Sequence, residues 1–91
     1  MPDLHDNTAR GRYEMDVDGD VAFVTYETKP DRLILVHTEV PRALEGRGIG
    51  SALARAVLDD IRRRGLRVEP RCPFIAAFIA RHSDFADLVA R

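Results

Sequence analysis

The sequence predicts one small α+β domain in the order β-β-β-α-β-α. Three observations carry that prediction. Short runs of strand-type residues before position 41 are separated by the turn signals Asp18-Gly19-Asp20 and Lys29-Pro30-Asp31. An amphipathic helical pattern of about four turns follows a glycine-rich junction. At 91 residues the chain has room for a single core.

Residues 1–11 are polar and aperiodic and are expected to form a flexible N-terminus, with the domain occupying 12–91. Arg12–Val17 alternates, with Tyr13, Met15 and Val17 on one side and Arg12, Glu14 and Asp16 on the other, as in a half-buried strand. Val21–Thr28 is rich in β-branched and aromatic residues and reads as the second strand. Leu33–Val40 is the third, apolar on both faces over its first half and so expected to be central. Short connections make these three an antiparallel meander. From Gly48 to Arg64, Ile49, Leu53, Val57 and Ile61 recur four apart and share a face with Ala52 and Ala56. Gly65 stands where a left-handed C-cap belongs. Leu66–Glu69 is a fourth strand, parallel to the third because a helix joins them. Pro73 suits a first helical position, which makes Cys72 the N-cap of a short helix ending near Arg81. Ser83-Asp84 starts a last turn containing Phe85 and Leu88, and Phe74, Phe78 and Phe85 are expected in the core beneath the second helix.

Composition narrows the classes of function. Hydrophobic residues at 45% and charged residues at 32% fit a folded globular chain. A net charge of −1 offers no basic surface for nucleic acid. Arg62-Arg63-Arg64 follows Asp59 and Asp60 by about one turn and reads as a paired, solvated helix face. No apolar run reaches the ~20 residues of a membrane helix. One cysteine cannot form an internal disulfide, so the expected compartment is reducing, the cytoplasm. His5, His37, His82 and Cys72 are too dispersed for zinc spacing, and no metal is expected. An exposed sheet edge would permit a monomer or a weak homodimer.

Gly46, Gly48 and Gly50 lie between the third strand and the long helix. Glycines there allow a tight turn and close approach of a ligand to the backbone, and the free N–H groups of a helix start suit a phosphate or diphosphate. The junction therefore asks for an anionic, nucleotide-like ligand. A P-loop enzyme is disfavoured, because no Gly-Lys-Ser/Thr follows the loop.

The strand, Pro41, Gly46-Arg47-Gly48-Ile49-Gly50 and the helix after them resemble the acetyl-CoA-binding motif of GNAT-type N-acetyltransferases, written Gln/Arg-x-x-Gly-x-Gly/Ala. Together with His37-Thr38-Glu39-Val40-Pro41 and Cys72-Pro73-Phe74, they resemble the small single-domain YjdJ-type group of that superfamily. The resemblance implies acetyl-CoA as co-substrate and direct attack of an unidentified amine acceptor on the thioester. It implies that the diphosphate lies on the amides of Glu45, Gly46, Arg47, Gly48, Ile49, Gly50 and Ser51, and that the pantetheine arm pairs with main-chain groups near Thr38 and Val40. Glu45 stands where the motif has Gln or Arg, and Phe78 and Phe85 occupy the segment where the superfamily often has a tyrosine acid.

Three side chains are candidates for the chemistry. Cys72, at a helix N-terminus beside Arg71, is placed to be an acetyl-carrying nucleophile or a proton donor to the departing thiolate, or else to pack against the cofactor arm. Glu39, at the end of the third strand, suits a base toward an amine or a plain solvent-facing position. His37 shares its face and suits a proton relay or a hydrogen bond within the sheet. Arg47, inside the glycine loop, suits a phosphate of the cofactor or plain exposure without a role. The leading function is a small acetyl-CoA-dependent N-acetyltransferase. The alternative is a module that binds acetyl-CoA or CoA without efficient turnover.

Overall fold

Backbone angles of φ +53° at Asp18 and +85° at Gly19 reverse the chain in a tight hairpin and set the first predicted pair of strands. The computed structural model describes residues 3–90. In it β2 (Arg12–Val17) pairs antiparallel with β3 (Asp20–Thr28), and β3 with β4 (Arg32–Glu39). A 3-10 turn at Arg42–Leu44 and the glycine loop lead into α1 (Ile49–Arg63). Next come β5 (Arg67–Pro70), parallel to β4, then α2 (Pro73–Arg81) and a 3-10 turn at Ser83–Leu88. The predicted elements from residue 12 onward are all present.

The N-terminal segment corrects the expectation of a flexible residues 1–11. Leu4–Asn7 forms β1, antiparallel to β2, and Thr8–Arg10 forms a 3-10 turn, so the sheet has five strands in the order β1-β2-β3-β4-β5. Asp6 accepts hydrogen bonds from the Tyr26 hydroxyl at 2.5 Å and from Arg64 at 3.3 Å, while Leu4 packs on the core margin. These partners come from distant segments, so local composition could not reveal them. The part of the expectation that concerns Met1 and Pro2 lies outside the described residues. At the opposite edge, Val89 bridges Val68 and the Ala90 amide donates to the Val68 carbonyl at 2.8 Å, which covers β5.

Both helices and the last 3-10 turn pack on one face of the sheet. Tyr13, Met15, Val24, Leu33 and Leu35 meet Leu53, Val57 and Ile61 of α1 and Ile75 and Phe78 of α2 in one buried cluster. Burying each large apolar side chain contributes about 1.5–3 kcal/mol. The buried stripe of α1 adds Ala54 and Leu58, whereas Ala52, expected on that face, is exposed. The stripe is displaced because α1 is also contacted by α2, not by the sheet alone. Of the arginine run, Arg63 and Arg64 pair with Asp60 as the spacing predicts, while Arg62 reaches across to Asp87 at 2.9 Å.

One irregularity positions the site. Tyr26 faces Leu35 and Thr25 faces His37, so β4 carries Val36 as an extra residue. Such a bulge shifts the alternation of the strand by one. Leu33 and Leu35 point to the helices; beyond the bulge Thr38 takes that direction, while His37 and Glu39 share the open face with Thr25 and Phe23. Pairing of β4 with β5 ends at Leu35 opposite Pro70, so among the described residues no strand lies beside residues 36–39 on that flank.

Candidate functional site

The glycine loop turns through φ +79° at Gly46 and +74° at Gly48, a left-handed geometry that costs a side-chain-bearing residue about 1–2 kcal/mol. Gly48 is also the N-cap of α1, and its carbonyl accepts the first helical hydrogen bond, from Ala52. Among the described residues, the amides of residues 46–51 donate to no protein acceptor. The Glu45 amide does, bonding the Arg42 carbonyl at 3.1 Å, which removes it from the expected set of donors. A cavity of about 260 Å³ opens beside these amides. Val40, Leu44, Glu45, Gly46, Gly48, Ile49, Gly50, Ser51 and Phe74 line it. Free N–H groups at the positive end of a 15-residue helix, next to an apolar wall, form a cradle suited to a diphosphate with an organic arm.

Two predicted members stand apart from that cavity. Arg47 turns away to Asp18 in the β2–β3 hairpin, at 2.9 Å. The Thr38 side chain lies farther along β4, 3.3 Å from the Cys72 sulfur. Phe74, expected in the core, is instead 38% exposed. It lies off the buried stripe of α2, which is Ile75, Phe78 and Ile79, and its ring rests on Gly50. Nothing in the helical spacing distinguished it from Phe78. The proline before it gives the signal that was available, since a first-turn aromatic sits at the mouth of the helix.

Cys72 is the N-cap of α2 and is buried, with 3% of its surface exposed. Its amide and that of Arg71 both donate to the Leu35 carbonyl, at 2.9 and 3.0 Å, which closes the parallel ladder where β4 and β5 part. The Arg71 guanidinium is drawn to Glu69 at 2.6 Å, so the positive charge expected beside the thiol is committed elsewhere. His37 Nε2 lies 3.4 Å from Glu39 Oε1, and both side chains are well exposed. The three candidates therefore form two groups, one on each face of β4. Cys72 and Thr38 face the helices; His37 and Glu39 face solvent. Between the two groups runs the flank of β4 beyond Leu35, where pairing with β5 has ended.

The largest electrostatic perturbation belongs to a scaffold at the far end of α1. Burial, then a hydrogen bond to Asp60 at 2.7 Å, pushes the Tyr13 hydroxyl far above the ordinary phenol range. Asp60 is itself partly desolvated, which opposes ionisation, but hydrogen bonds from Tyr13 and Arg63 and the charges of Arg63 and Arg64 hold it below the usual carboxylate range. Arg64 donates to the same Tyr13 oxygen at 2.8 Å and binds Asp6, so the network ties β1, β2 and α1 together.

Comparison with known proteins gives a consistent result. Protein NATD1 of Bos taurus is 43% identical over 61 residues, covering 66% of this chain and 54% of that protein. Its counterpart in Gallus gallus is 39% identical over the same length. The match thus spans about half the length of these relatives. The solution structure of a GCN5-like protein from Staphylococcus aureus superposes with a TM-score of 0.73 at 21% identity, covering 97% of this chain and 87% of the other. That likeness shows the same fold. The family model for GCN5-related N-acetyl-transferases matches residues 12–88, from the first residue of β2 to the end of the last 3-10 turn. With that span, the chain belongs to the GCN5-related N-acetyltransferase family.

Proposed function

We propose that the chain binds acetyl-CoA and transfers its acetyl group to an amine. The observation that carries the reading is the set of unpaired amides at residues 46–51, beside a cavity continuous with the mouth of α1. In this reading those amides hold the diphosphate, and Leu44, Val40 and Phe74 flank the pantetheine arm. The arm adds to the free flank of β4 as an extra strand, with the thioester near the point where β4 and β5 part.

The amine nitrogen then attacks the thioester carbonyl carbon from the open face. The carbon–sulfur bond breaks, Glu39 takes the amine proton with His37 beside it, and the CoA thiolate leaves toward the helix side. Cys72, hydrogen-bonded to Thr38 there, returns a proton to that thiolate. A single buried cysteine suits a reducing compartment such as the cytoplasm.

One observation favours a second reading, a module that holds CoA or acetyl-CoA without turnover. Glu39 and Cys72 stand on opposite faces of β4, and among the described residues none joins them in one hydrogen-bonded chain. Calorimetric titration with acetyl-CoA and CoA tests what both readings share; no heat and no thermal shift at millimolar ligand would remove both. Transfer to a panel of amines then separates them. The transferase reading expects Glu39→Gln to lower kcat by about 10²–10⁴ with acetyl-CoA affinity retained. Tight binding without transfer, unchanged in Glu39→Gln and Cys72→Ala, selects the module.

A further inference from the structure

Strands β2, β3 and β4 turn one face away from both helices, and that face meets solvent except at Ile34, which is buried beside Glu27. Cross-strand register orders that face in rows. Glu14, Phe23 and Glu39 stand side by side in one row, and Arg12, Thr25 and His37 in the next. Asp16 continues the pattern toward the hairpin, and Glu27 continues it toward the start of β4. The Arg12 guanidinium sits 4.2 Å from the centre of the Phe23 ring while its Nε donates to Glu14 at 2.6 Å. The ring thus already carries a cation on its face, as its quadrupole favours, and Glu14 is neutralised. Asp16, Glu27 and Glu39 are exposed, and among the described residues none of them is paired with a lysine or arginine; Asp16 accepts only the Gly19 amide, and Glu39 meets only His37. The face therefore presents three unneutralised carboxylates around an aromatic centre.

We infer that this face docks an extended, Lys- or Arg-rich polypeptide segment that presents the acceptor amine to Glu39. The inference rests on the transferase reading above. Length decides the kind of cation. Asp16 lies opposite Val21, and Glu27 is six residues farther along β3, a span of about 20 Å at ~3.3 Å per residue. One amine cannot meet carboxylates so far apart. A polypeptide in extended form places alternate side chains on the pleated surface at matching intervals. Its complementarity is electrostatic, so docking is screened by salt.

The test uses the full chain, acetyl-CoA, and three acceptors: a lysine-rich peptide, a neutral peptide with one free amine, and spermidine. The variant Asp16→Asn/Glu27→Gln keeps the hairpin acceptor and removes two charges; Asp59→Asn on α1 removes one from the helix side. The expected result is a KM for the basic peptide raised about tenfold in the double variant, and raised again between about 50 and about 300 mM salt. The KM for acetyl-CoA and kcat stay unchanged, and Asp59→Asn has no effect. In parallel, an amide-resolved NMR titration with the basic peptide alone is expected to move signals of β2, β3 and β4. Shifts confined to other surfaces, spermidine or the neutral peptide performing as well as the basic one, or the same signals moving on dilution of the protein by itself would overturn the inference. A chain that gives no heat with acetyl-CoA defeats the transferase reading, while the peptide titration still decides whether the face docks a basic segment.

Discussion

Tyr13 shows how one side chain joins three elements. It is almost fully buried, yet its hydroxyl donates a hydrogen bond to Asp60 and accepts one from Arg64. Removing that oxygen leaves a partly desolvated carboxylate short of a donor. Tyr13→Phe is expected to lower stability by about 1.5–3 kcal/mol, the range for a hydrogen bond to a charged group, read as a shift in denaturant midpoint with an unchanged slope. The residue itself was legible in the sequence as the inward-facing member of an alternating strand. Its partners were not, because Asp60 and Arg64 looked like members of a surface charge run. Cys72 was similarly half legible. The proline after it marked a helix start, but only the register of β4 and β5 reveals that its amide closes the ladder and that its sulfur meets Thr38.

At the scale of elements, Gly48 and Gly50 carry different constraints. Gly48 has a positive φ, so Gly48→Ala is expected to cost about 1–2 kcal/mol through backbone strain. Gly50 is helical, and a Cβ there would lie 2.9 Å from Cζ of Phe74. The clash is with the far end of a partly exposed side chain, and alanine favours helix by up to ~1 kcal/mol. Gly50→Ala is therefore expected to leave the melting temperature level or slightly higher while weakening acetyl-CoA about tenfold, because the displaced ring moves into the cavity. Parallel thermal and calorimetric titrations check both halves. Loss of stability with unchanged affinity would contradict the placement of Phe74. The strands and helices from residue 12 onward were readable because their periodicity is local. The bulge at Val36 and the strand at Leu4–Asn7 were not, since each is defined by the strand beside it.

For the molecule as a whole, the charged groups predict how stability follows pH. Asp60 has a folded value depressed below its ordinary 3.8, so its contribution is complete above 3.8 and is lost as pH falls through the lower folded value. The Tyr26 phenol moves the other way, pushed up to about 12 by burial and then by its bond to Asp6. Its contribution is complete below 10 and disappears as pH rises from 10 to about 12. The melting temperature is expected to be flat between about pH 5 and 8 and to fall on both sides. Asp60→Asn should soften the acid limb and Tyr26→Phe the alkaline one; limbs unchanged in those variants would remove the network as their cause. The candidate site was legible as a loop and a list of residues. Its division between two faces of one strand was not, because face depends on counting residues through an irregularity that composition does not mark.

That count has a consequence of its own. Excising Val36 would remove the irregularity and leave both sides as they are: after inward Leu35, plain alternation still sends His37 and Glu39 to water and Thr38 to the helices. A straightened strand that kept Val36 would do the opposite, turning the imidazole of His37 inward among apolar side chains and the hydroxyl of Thr38 into water, so one aliphatic residue and the kink that absorbs it together decide what each side of the strand can do.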